Sequence, residues 1–278
     1  MRGSTRVFAL VGHPVAHSLS PTIYNALFRE EGIDAVYVAL DVPPERGPAI
    51  ASALRVLGLA GVNLTVPHKA AILPDLDDLD DGVVETGAAN VVLCQGGRLH
   101  GYNTDSEGFC RAFEERFGPG LQGCRAMILG AGGAACAVAV GLARRSAASV
   151  VFLNRTASRA RAAVTRIAPF HAEVHFEFDR LVPEVFSQRA PGVDLVVNAT
   201  SGGARDLVDL LDVRALPTTA TWCDLNYWMD APPAFSACRD RGVRTQGGLD
   251  MLVHQAALAF ELFTGRRVAP VRIRSDLG

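Results

Sequence analysis

The sequence predicts an α/β fold of two domains, the second of them built on a doubly wound parallel sheet. Short apolar runs typical of strands alternate with helical segments along the chain, which is the order that a parallel sheet requires. A length of 278 residues suits two domains of ordinary size. From about residue 125 a strand, a glycine-rich turn and an alanine-rich helix follow one another, so we place the domain boundary near residue 107.

Composition excludes several classes of protein. Hydrophobic residues make up 49% of the chain and charged residues 20%, which favours a packed core over disorder. The formal net charge is -2 with no basic stripe, so we expect neither a nucleic-acid nor a membrane partner. Six scattered cysteines without metal-ligand spacing predict no metal site and no disulfide framework. The apolar start is too short for a signal peptide, so we expect a cytoplasmic protein.

The first half begins with a strand, a turn and a helix. Val7–Val11 is a short apolar run ended by Gly12, typical of a buried strand that enters a turn. Ser20 and Pro21 supply an N-cap and a proline at the first helical position, so a helix is predicted from there to Gly32. The next elements are a strand at Val36–Leu40, a helix at Ala49–Leu57 and a strand at Val62–Val66.

A Gly-Gly pair at 96–97 marks a two-residue hairpin turn between two apolar runs. Counting outward from this turn, Asn90 faces Asn103. The hairpin therefore brings Asn90 close to Asp105, although they lie far apart in the sequence. Asp105 begins a helix that is predicted to run to about Phe117.

The second half alternates strands and helices more regularly. Its strands are predicted at Met127–Leu129, Val150–Leu153, Val193–Val197, Ala220–Leu225 and Val243–Thr245, with a helix from the glycine-rich turn to about Arg145. The last helix runs from about Asp250 to Phe263. It carries apolar residues on most sides, so we expect it to be buried.

The turn after the Met127–Leu129 strand predicts a dinucleotide-binding site. Its residues are Gly130, Ala131, Gly132, Gly133 and Ala134. Gly130 permits the tight turn, Gly132 lets the backbone approach a pyrophosphate, and Ala135 keeps helix and strand close. The following helix N-terminus adds amide donors and the positive end of a dipole. Glycines also end strands for local reasons, so the prediction depends on the strand–turn–helix context.

The end of the next strand favours NADP over NAD. Enzymes that use NAD usually carry Asp or Glu there for the ribose hydroxyls, whereas this sequence has Asn154, Arg155 and Thr156. Arg159 follows Arg155 by one helical turn, and two guanidiniums with a hydroxyl between them suit a 2′-phosphate. Arg161 fits a solvated helix face instead.

Two pairs of residues could bind and protonate a substrate. Ser18 and Ser20 bracket the start of the first helix, where hydroxyls and the helix dipole favour a carboxylate. Plain capping would explain Ser20 alone but not the pair. Lys69 by itself would be an ordinary surface residue. Beside Asp105 it can relay the proton that accompanies hydride transfer.

Blocks of the sequence, in order over nearly the whole chain, resemble the shikimate dehydrogenase family. They are GHPVAHSLSP (12–21), NLTVPHK (63–69), GAAN (87–90) with NTD (103–105), the turn at 130–135, NRT (154–156), NATS (198–201) and GLDMLVHQA (248–256). Such agreement is far more specific than any single motif.

The resemblance implies a reversible reduction of 3-dehydroshikimate to shikimate by NADPH, in the shikimate pathway that leads to chorismate and the aromatic amino acids. It implies a substrate-binding and catalytic domain (1–106), an NADP-binding Rossmann domain (107–246) and C-terminal helices (247–278) that pack back on the first domain. The active site would be the cleft between the two domains, which we expect to close by a hinge motion. For the oligomeric state we keep a homodimer as a hypothesis.

The resemblance also implies roles for individual residues. Ser18 and Ser20, helped by Tyr227, would hold the substrate carboxylate. Lys69 paired with Asp105 would be the acid–base group. The ring hydroxyls would be held by Thr65, Asn90, Asp105 and Gln255, and the nicotinamide would be lined by Thr200, Gly248 and Met251.

Three departures from the common family pattern leave the substrate open. His68 stands where many members have Phe, Val91 replaces a Thr, and the segment Trp228–Pro232 is atypical. A quinate/shikimate or aminoshikimate dehydrogenase is therefore an alternative. A non-catalytic NADP-binding regulator is another, against which the intact Lys69, Asp105 and Gln255 argue. A Rossmann methyltransferase would leave two pairs of residues unexplained, Ser18 with Ser20 and Lys69 with Asp105.

Overall fold

The computed structural model describes residues 2–200, 205–227, 233–275 and 277. Packing divides the chain into two units. The first unit holds Met1–Gly108 and Val253–Gly278, and the second unit holds Phe109–Leu252. The predicted α/β class is confirmed in both, since each unit contains a six-stranded sheet.

Elements of the first unit follow from the N-terminus. Its strands are β1 (Arg6–Gly12), β2 (Ala35–Asp41), β3 (Gly61–Leu64), β4 (Asp78–Leu79), β5 (Val91–Gln95) and β6 (Arg98–Tyr102). The helices along this stretch are α1 (Ser20–Glu30), α2 (Ile50–Leu57), α3 (His68–Ala71), α4 (Asp81–Thr86) and α5 (Asp105–Phe117), whose end belongs to the second unit.

The second unit alternates strand and helix. Its strands are β7 (Arg125–Leu129), β8 (Ser149–Asn154), β9 (His175–Arg180), β10 (Leu195–Asn198), β11 (Thr221–Asp224) and β12 (Arg244–Gln246). Its helices include α6 (Gly133–Arg144), α7 (Ala157–Ile167), α8 (Pro183–Arg189), α9 (Arg205–Asp209) and α10 (Pro233–Asp240). The chain then returns to the first unit through α11 (Gly248–Thr264) and ends with α12 (Pro270–Ser275).

The sheet of the first unit is mixed, in the order β2-β1-β3-β5-β6-β4. Strand β1 is parallel to β2 and β3, and β5 is antiparallel to β3 and β6. Gln95 pairs with Arg98, and Gly96 and Gly97 have φ of 57° and 79°, so the predicted two-residue hairpin is confirmed. Its register fixes which residues emerge together at the open end of the hairpin.

The sheet of the second unit is parallel throughout, in the order β12-β11-β10-β7-β8-β9. Read from the centre, this is the doubly wound order of a dinucleotide-binding fold, with β7 first and the chain crossing over to β10. Ligands of such sheets bind at the carboxyl ends of the strands. The predicted strands of this unit lie within two residues of their observed bounds.

Two predicted elements differ from the structure. The strand predicted at Val62–Val66 ends at Leu64, and Val66 is 62% exposed. All four residues of β3 are buried, because this strand lies inside the sheet with both faces covered. The last helix begins two residues earlier than predicted, at Gly248.

Buried apolar side chains fill both units. Trp222, on β11, is fully buried and packs near Phe186, with ring centroids 6.4 Å apart. Cys223 and Cys238 are buried in the same unit. Over the residues that the structure describes, no helix combines the length and the apolar character needed to cross a membrane.

Candidate active site

Lys69 and Asp105 form a nearly buried ion pair in the first unit. The Lys69 Nζ donates to Asp105 Oδ2 at 2.6 Å, and the two side chains are 18% and 6% exposed. Asp105 is the first residue of α5, where the positive end of the helix dipole favours a carboxylate. The predicted proximity of the two residues is confirmed.

Lys69 is also the only lysine in the sequence, since all the others among its 27 lysine and arginine residues are arginines. An arginine guanidinium stays protonated in proteins, whereas a lysine ammonium can release its proton. Among the lysine and arginine side chains of this chain, the one group able to exchange a proton therefore lies against a buried carboxylate.

Asn90 completes the surroundings of the carboxylate. Its Nδ2 donates to Asp105 Oδ1 at 2.9 Å and to Thr104 Oγ1 at 2.8 Å, and its Oδ1 accepts from the Thr104 amide at 2.8 Å. Asn90 precedes β5 and Thr104 follows β6, so the hairpin register brings them together. The contact between Asn90 and Asp105 that the hairpin predicts is confirmed.

Gln255, on α11, joins the same cluster. Its Oε1 lies 3.3 Å from Asn90 Nδ2 and 3.5 Å from Thr104 Oγ1. Gly108, on α5, allows this approach, because a Cβ at that position would fall 2.7 Å from Gln255 Cβ. Amide and hydroxyl groups thus surround the ion pair, an arrangement that suits a substrate with several hydroxyls.

Asn103 is a positioning residue that the sequence reasoning missed. Its Oδ1 accepts from the backbone amides of Asp105 at 3.1 Å and Ser106 at 3.3 Å, and its Nδ2 donates to the Ala88 carbonyl at 2.8 Å. It thereby caps the start of α5 and ties it to the segment before β5. An Asn just ahead of a predicted helix is a recognised capping signal, and it could have found this residue.

A series of buried hydrogen bonds holds the backbone of Asn90 in place. Tyr37 Oη donates to Asn63 Oδ1 at 2.7 Å, and Asn63 Nδ2 donates to the Asn90 carbonyl at 3.3 Å. Tyr24 stacks on Tyr37 with ring centroids 4.4 Å apart. Burial raises the pKa of Tyr24 far above its ordinary value, so its hydroxyl stays protonated and neutral.

Ser18 and Ser20 lie together at the start of α1. The Ser18 Oγ donates to Ser20 Oγ and accepts from the Ser20 amide, both at 3.2 Å. The prediction that Ser20 is the N-cap is wrong: Ser20 is already helical, and the cap residue Leu19 makes no side-chain cap bond. Ser18 takes the capping role, because its hydroxyl reaches the first helical amide.

Thr65 brings the serine segment beside the lysine segment. A Cβ at Gly12 would lie 2.1 Å from Thr65 Cγ2, so only glycine allows β1 to end against this residue. The Thr65 amide donates to the Val11 carbonyl at 2.9 Å, and the His13 amide donates to the Val66 carbonyl at 2.9 Å. Thr65 itself is half-buried.

The glycine-rich turn of the second unit has an accessible helix N-terminus. Gly130 has φ of 109°, and a Cβ there would lie 2.8 Å from the Ala199 carbonyl oxygen, so glycine is required. Gly132 is the cap residue of α6, with no side-chain cap bond and with open space where a Cβ would lie. Ala135 is fully buried, as close packing of helix and strand requires. Of the other turn residues, Ala131, Gly133 and Ala134 are half-buried.

Arg155 and Thr156 are exposed just beyond β8, next to this turn, since the Gly130 amide donates to the Leu153 carbonyl at 2.8 Å. The Asn154 Nδ2 donates to the Thr156 carbonyl at 2.9 Å. The prediction that Arg155 and Arg159 are one helical turn apart is wrong, because Thr156 is the extended cap residue of α7 and Arg155 precedes the helix. Arg159, in the first turn, is exposed.

The predicted nicotinamide residues lie in the second unit. Thr200 is buried beyond β10, and Met251 packs against the apolar core. A Cβ at Gly248 would lie 2.2 Å from the Leu225 carbonyl oxygen, so only glycine fits at this position, whether or not a cofactor binds there. Tyr227, in the same unit, is half-buried. Ser201 and the segment Trp228–Pro232 lie outside the described residues.

The site chemistry is that of polar side chains. In the described part of the chain, no three His, Cys, Asp or Glu side chains are grouped closely enough to hold a metal ion. The glycine turn, the uncapped start of α6 and the exposed Arg155 form a set of donors that fits the pyrophosphate and 2′-phosphate of NADP.

Family models match most of the chain. Residues 10–92 match the model of the shikimate dehydrogenase substrate binding domain. Residues 112–209 match that of shikimate / quinate 5-dehydrogenase. Residues 248–273 match that of the shikimate 5'-dehydrogenase C-terminal domain.

Individual relatives agree with these models. The chain is 40% identical to the shikimate dehydrogenase (NADP(+)) of Symbiobacterium thermophilum over 96% of its length and 91% of the relative's. It is 35% identical to the shikimate 5-dehydrogenase from Thermus thermophilus solved with NADP(H) and shikimate, with a TM-score of 0.81 and 98% of each chain covered. A quinate dehydrogenase from Corynebacterium glutamicum, solved with NAD, is 28% identical with a TM-score of 0.86 and 98% of each chain covered. This chain belongs to the shikimate dehydrogenase family.

Proposed function

We propose that this chain is an NADP-dependent shikimate dehydrogenase, which reduces 3-dehydroshikimate to shikimate and catalyses the reverse oxidation. The observation that carries the proposal is the buried pair of Lys69 and Asp105, 2.6 Å apart and surrounded by amide and hydroxyl groups, in a member of this family. Residues 1–106 would form the substrate-binding and catalytic domain, on which the C-terminal helices of residues 247–278 pack, and residues 107–246 would form the NADP-binding domain.

Bound NADPH supplies the hydride that reduces the ring ketone. In this direction the Lys69 ammonium donates the proton that the ketone oxygen needs, and in the oxidation the amine takes it back. Asp105 orients the ammonium through the 2.6 Å hydrogen bond and balances its charge in a poorly solvated site. Since arginine cannot release a proton, no conservative cation could replace Lys69.

Substrate recognition is assigned to the polar groups around this pair. Ser18 and Ser20, at the start of α1, bind the carboxylate, where the helix dipole stabilises negative charge. Thr65, Asn90, Asp105 and Gln255 bind the ring hydroxyls, and Tyr227 assists at the carboxylate. A site built from hydrogen-bonding groups rejects analogues that lack a hydroxyl, because buried donors and acceptors would then be unpaired.

Cofactor recognition is assigned to the turn at 130–134 and to the end of β8. The turn and the α6 N-terminus bind the pyrophosphate through backbone amides. Asn154, Arg155, Thr156 and Arg159 bind the adenosine end, with Arg155 at the 2′-phosphate. Thr200, Gly248 and Met251 are assigned to the nicotinamide end.

The first experiment follows NADP reduction by the purified protein with shikimate, with quinate and NAD as parallel controls. We expect turnover with shikimate and NADP that disappears in Lys69→Ala. Tight NADP binding without shikimate turnover would overturn the assignment of substrate.

A quinate dehydrogenase is the second candidate, because a quinate dehydrogenase solved with NAD shares the fold at 28% identity. Quinate carries an extra hydroxyl near the carboxylate, where this chain keeps both Ser18 and Ser20. Measuring kcat/KM with shikimate and with quinate decides between the two candidate functions. A higher kcat/KM for quinate would favour the second candidate.

Six free cysteines suit a reducing compartment, so we propose a cytoplasmic enzyme on the route to chorismate. The pathway is tested by expressing this chain in a strain that lacks its own shikimate dehydrogenase and measuring whether the strain grows without aromatic supplements. We also propose a homodimer, which light scattering of the purified protein tests directly.

A further inference from the structure

Asp224 is a buried carboxylate at the carboxyl end of β11 whose partners are amides. It is 3% exposed. Its Oδ2 accepts from Asn198 Nδ2 at 2.8 Å, and its Oδ1 accepts from the Asn226 backbone amide and from Asn226 Nδ2, both at 3.0 Å. Burial raises the pKa of Asp224 above its ordinary value. Such a group is costly, so it calls for an explanation.

The donors around Asp224 explain why it is an aspartate. Three N–H groups point at its two oxygens, and an asparagine would turn an NH2 group toward one of these donors. Asn198 cannot compensate by turning its own amide over. Its Oδ1 already accepts from the Thr200 amide at 3.2 Å and from Thr200 Oγ1 at 2.7 Å.

The network therefore reaches Thr200 by two routes. Asp224 fixes Asn198, whose oxygen holds the amide and the hydroxyl of Thr200. Asp224 also fixes Asn226, whose Nδ2 donates to the Thr200 carbonyl at 3.3 Å. Thr200 is thus hydrogen-bonded at its amide, its hydroxyl and its carbonyl. It lies at the carboxyl end of the parallel strands, where ligands of such sheets bind.

We infer that Asp224 is a positioning residue for the nicotinamide end of the NADP site, acting through Asn198 and Asn226 on Thr200. The inference rests on the proposed function, which assigns Thr200 to that end of the cofactor. Asp224 itself holds the backbone that follows β10 and β11 in one arrangement before the cofactor binds. Binding then does not have to order these segments.

The test measures cofactor affinity without any substrate. The fluorescence of NADPH gives its Kd for the wild type, Asp224→Asn and Thr200→Val. For Asp224→Asn we expect a Kd raised by about 10-fold or more, since one buried donor is left mispaired. For Thr200→Val we expect a smaller rise. The KM for shikimate should stay close to that of the wild type.

A reciprocal exchange separates positioning from charge and from general destabilisation. In the double variant Asn198→Asp with Asp224→Asn, the amide introduced on β11 donates to the carboxylate introduced on β10 and still accepts from Asn226. The introduced carboxylate still accepts from Thr200. Every hydrogen bond of the network is regained, although the charge has moved. We expect the double variant to recover most of the affinity that Asp224→Asn loses, and its thermal midpoint to return toward the wild type.

Two results would overturn the inference. One is an unchanged Kd for NADPH in folded Asp224→Asn, and the other is a folded double variant as weak as the single one. If Asp224→Asn does not fold, the double variant still decides, because a folded double variant must bind NADPH nearly as well as the wild type and a much weaker Kd would overturn the inference. A wild type that does not bind NADPH would instead contradict the proposed function.

Discussion

Asn90 Nδ2 and Asp105 Oδ1 are 2.9 Å apart, although the two residues are separated by a whole hairpin in the sequence. The other oxygen of the same carboxylate accepts from Lys69. One carboxylate therefore fixes both a neutral donor and the only lysine, and it does so from the first residue of a helix.

Replacing Lys69 tests whether its proton is used. Lys69→Ala and Lys69→Arg should both lower kcat by about 10²- to 10⁴-fold, because arginine restores the charge but not the exchangeable proton. Binding of NADPH should not change. Arg98→Ala, which removes an exposed partner of Asp78 on the hairpin, is the control and should keep full activity. High activity in Lys69→Arg would show that charge alone suffices.

Replacing Asn103 tests the cap of α5. Asn103→Ala removes the acceptor of two helical amides and the donor to the Ala88 carbonyl, so we expect a loss of about 1–2 kcal/mol in unfolding free energy. Turnover should fall with it, because Asp105 is displaced. Asn103→Ser keeps a capping oxygen, so it should lose less unfolding free energy and less kcat than Asn103→Ala. Urea unfolding and steady-state kinetics measure the two losses. Equal losses in the two variants would contradict a capping role.

Arg155 should select NADP over NAD. Loss of a charge-assisted hydrogen bond to phosphate costs about 1.5–3 kcal/mol, so Arg155→Ala should raise the KM for NADP by roughly 10- to 100-fold. The KM for NAD should stay the same, since NAD lacks the 2′-phosphate. Arg161→Ala, which removes an exposed guanidinium from the helix that follows, is the matched control. If Arg155→Ala raised the KM for NADP and the KM for NAD by similar factors, Arg155 would not be the residue that binds the 2′-phosphate.

The stability of the second unit should depend on pH through Asp194. Hydrogen bonds from the Arg125 side chain hold the pKa of Asp194 below its ordinary value. A lowered pKa in the folded state stabilises the protein above the pKa of the unfolded state, about 3.9, and this contribution disappears as the pH falls through the folded value.

The half-exposed pair is screened by water, so its contribution should be below about 1 kcal/mol. Thermal midpoints of the wild type and Asp194→Asn measure it. The difference should be greatest near neutral pH and should shrink steadily as the solution is acidified below the unfolded-state pKa. A difference that persists at low pH would mean that Asp194 acts through something other than its charge.

Local signals predict the parts of the fold that depend on neighbouring residues. The Gly-Gly turn predicts the register of β5 and β6, and with it the meeting of Asn90 and Asp105. Strand β9 was missed, because an edge strand carries charged and half-exposed side chains and has no apolar run.

Contacts between distant elements were beyond such signals. The role of Asp224 depends on Asn198 in the neighbouring strand, 26 positions away. The close approach of Gly108 to Gln255 depends on how two helices pack, which a single sequence does not display.

The single lysine has a practical consequence. An endoproteinase that cleaves only after lysine has one site in the whole chain, between Lys69 and Ala70. That bond lies within α3, where the Lys69 carbonyl accepts from the Ala89 amide at 2.8 Å, so cleavage requires the segment to open first. The rate at which the protein is cut into two fragments therefore reports local opening at the ion pair, without any label and without turnover.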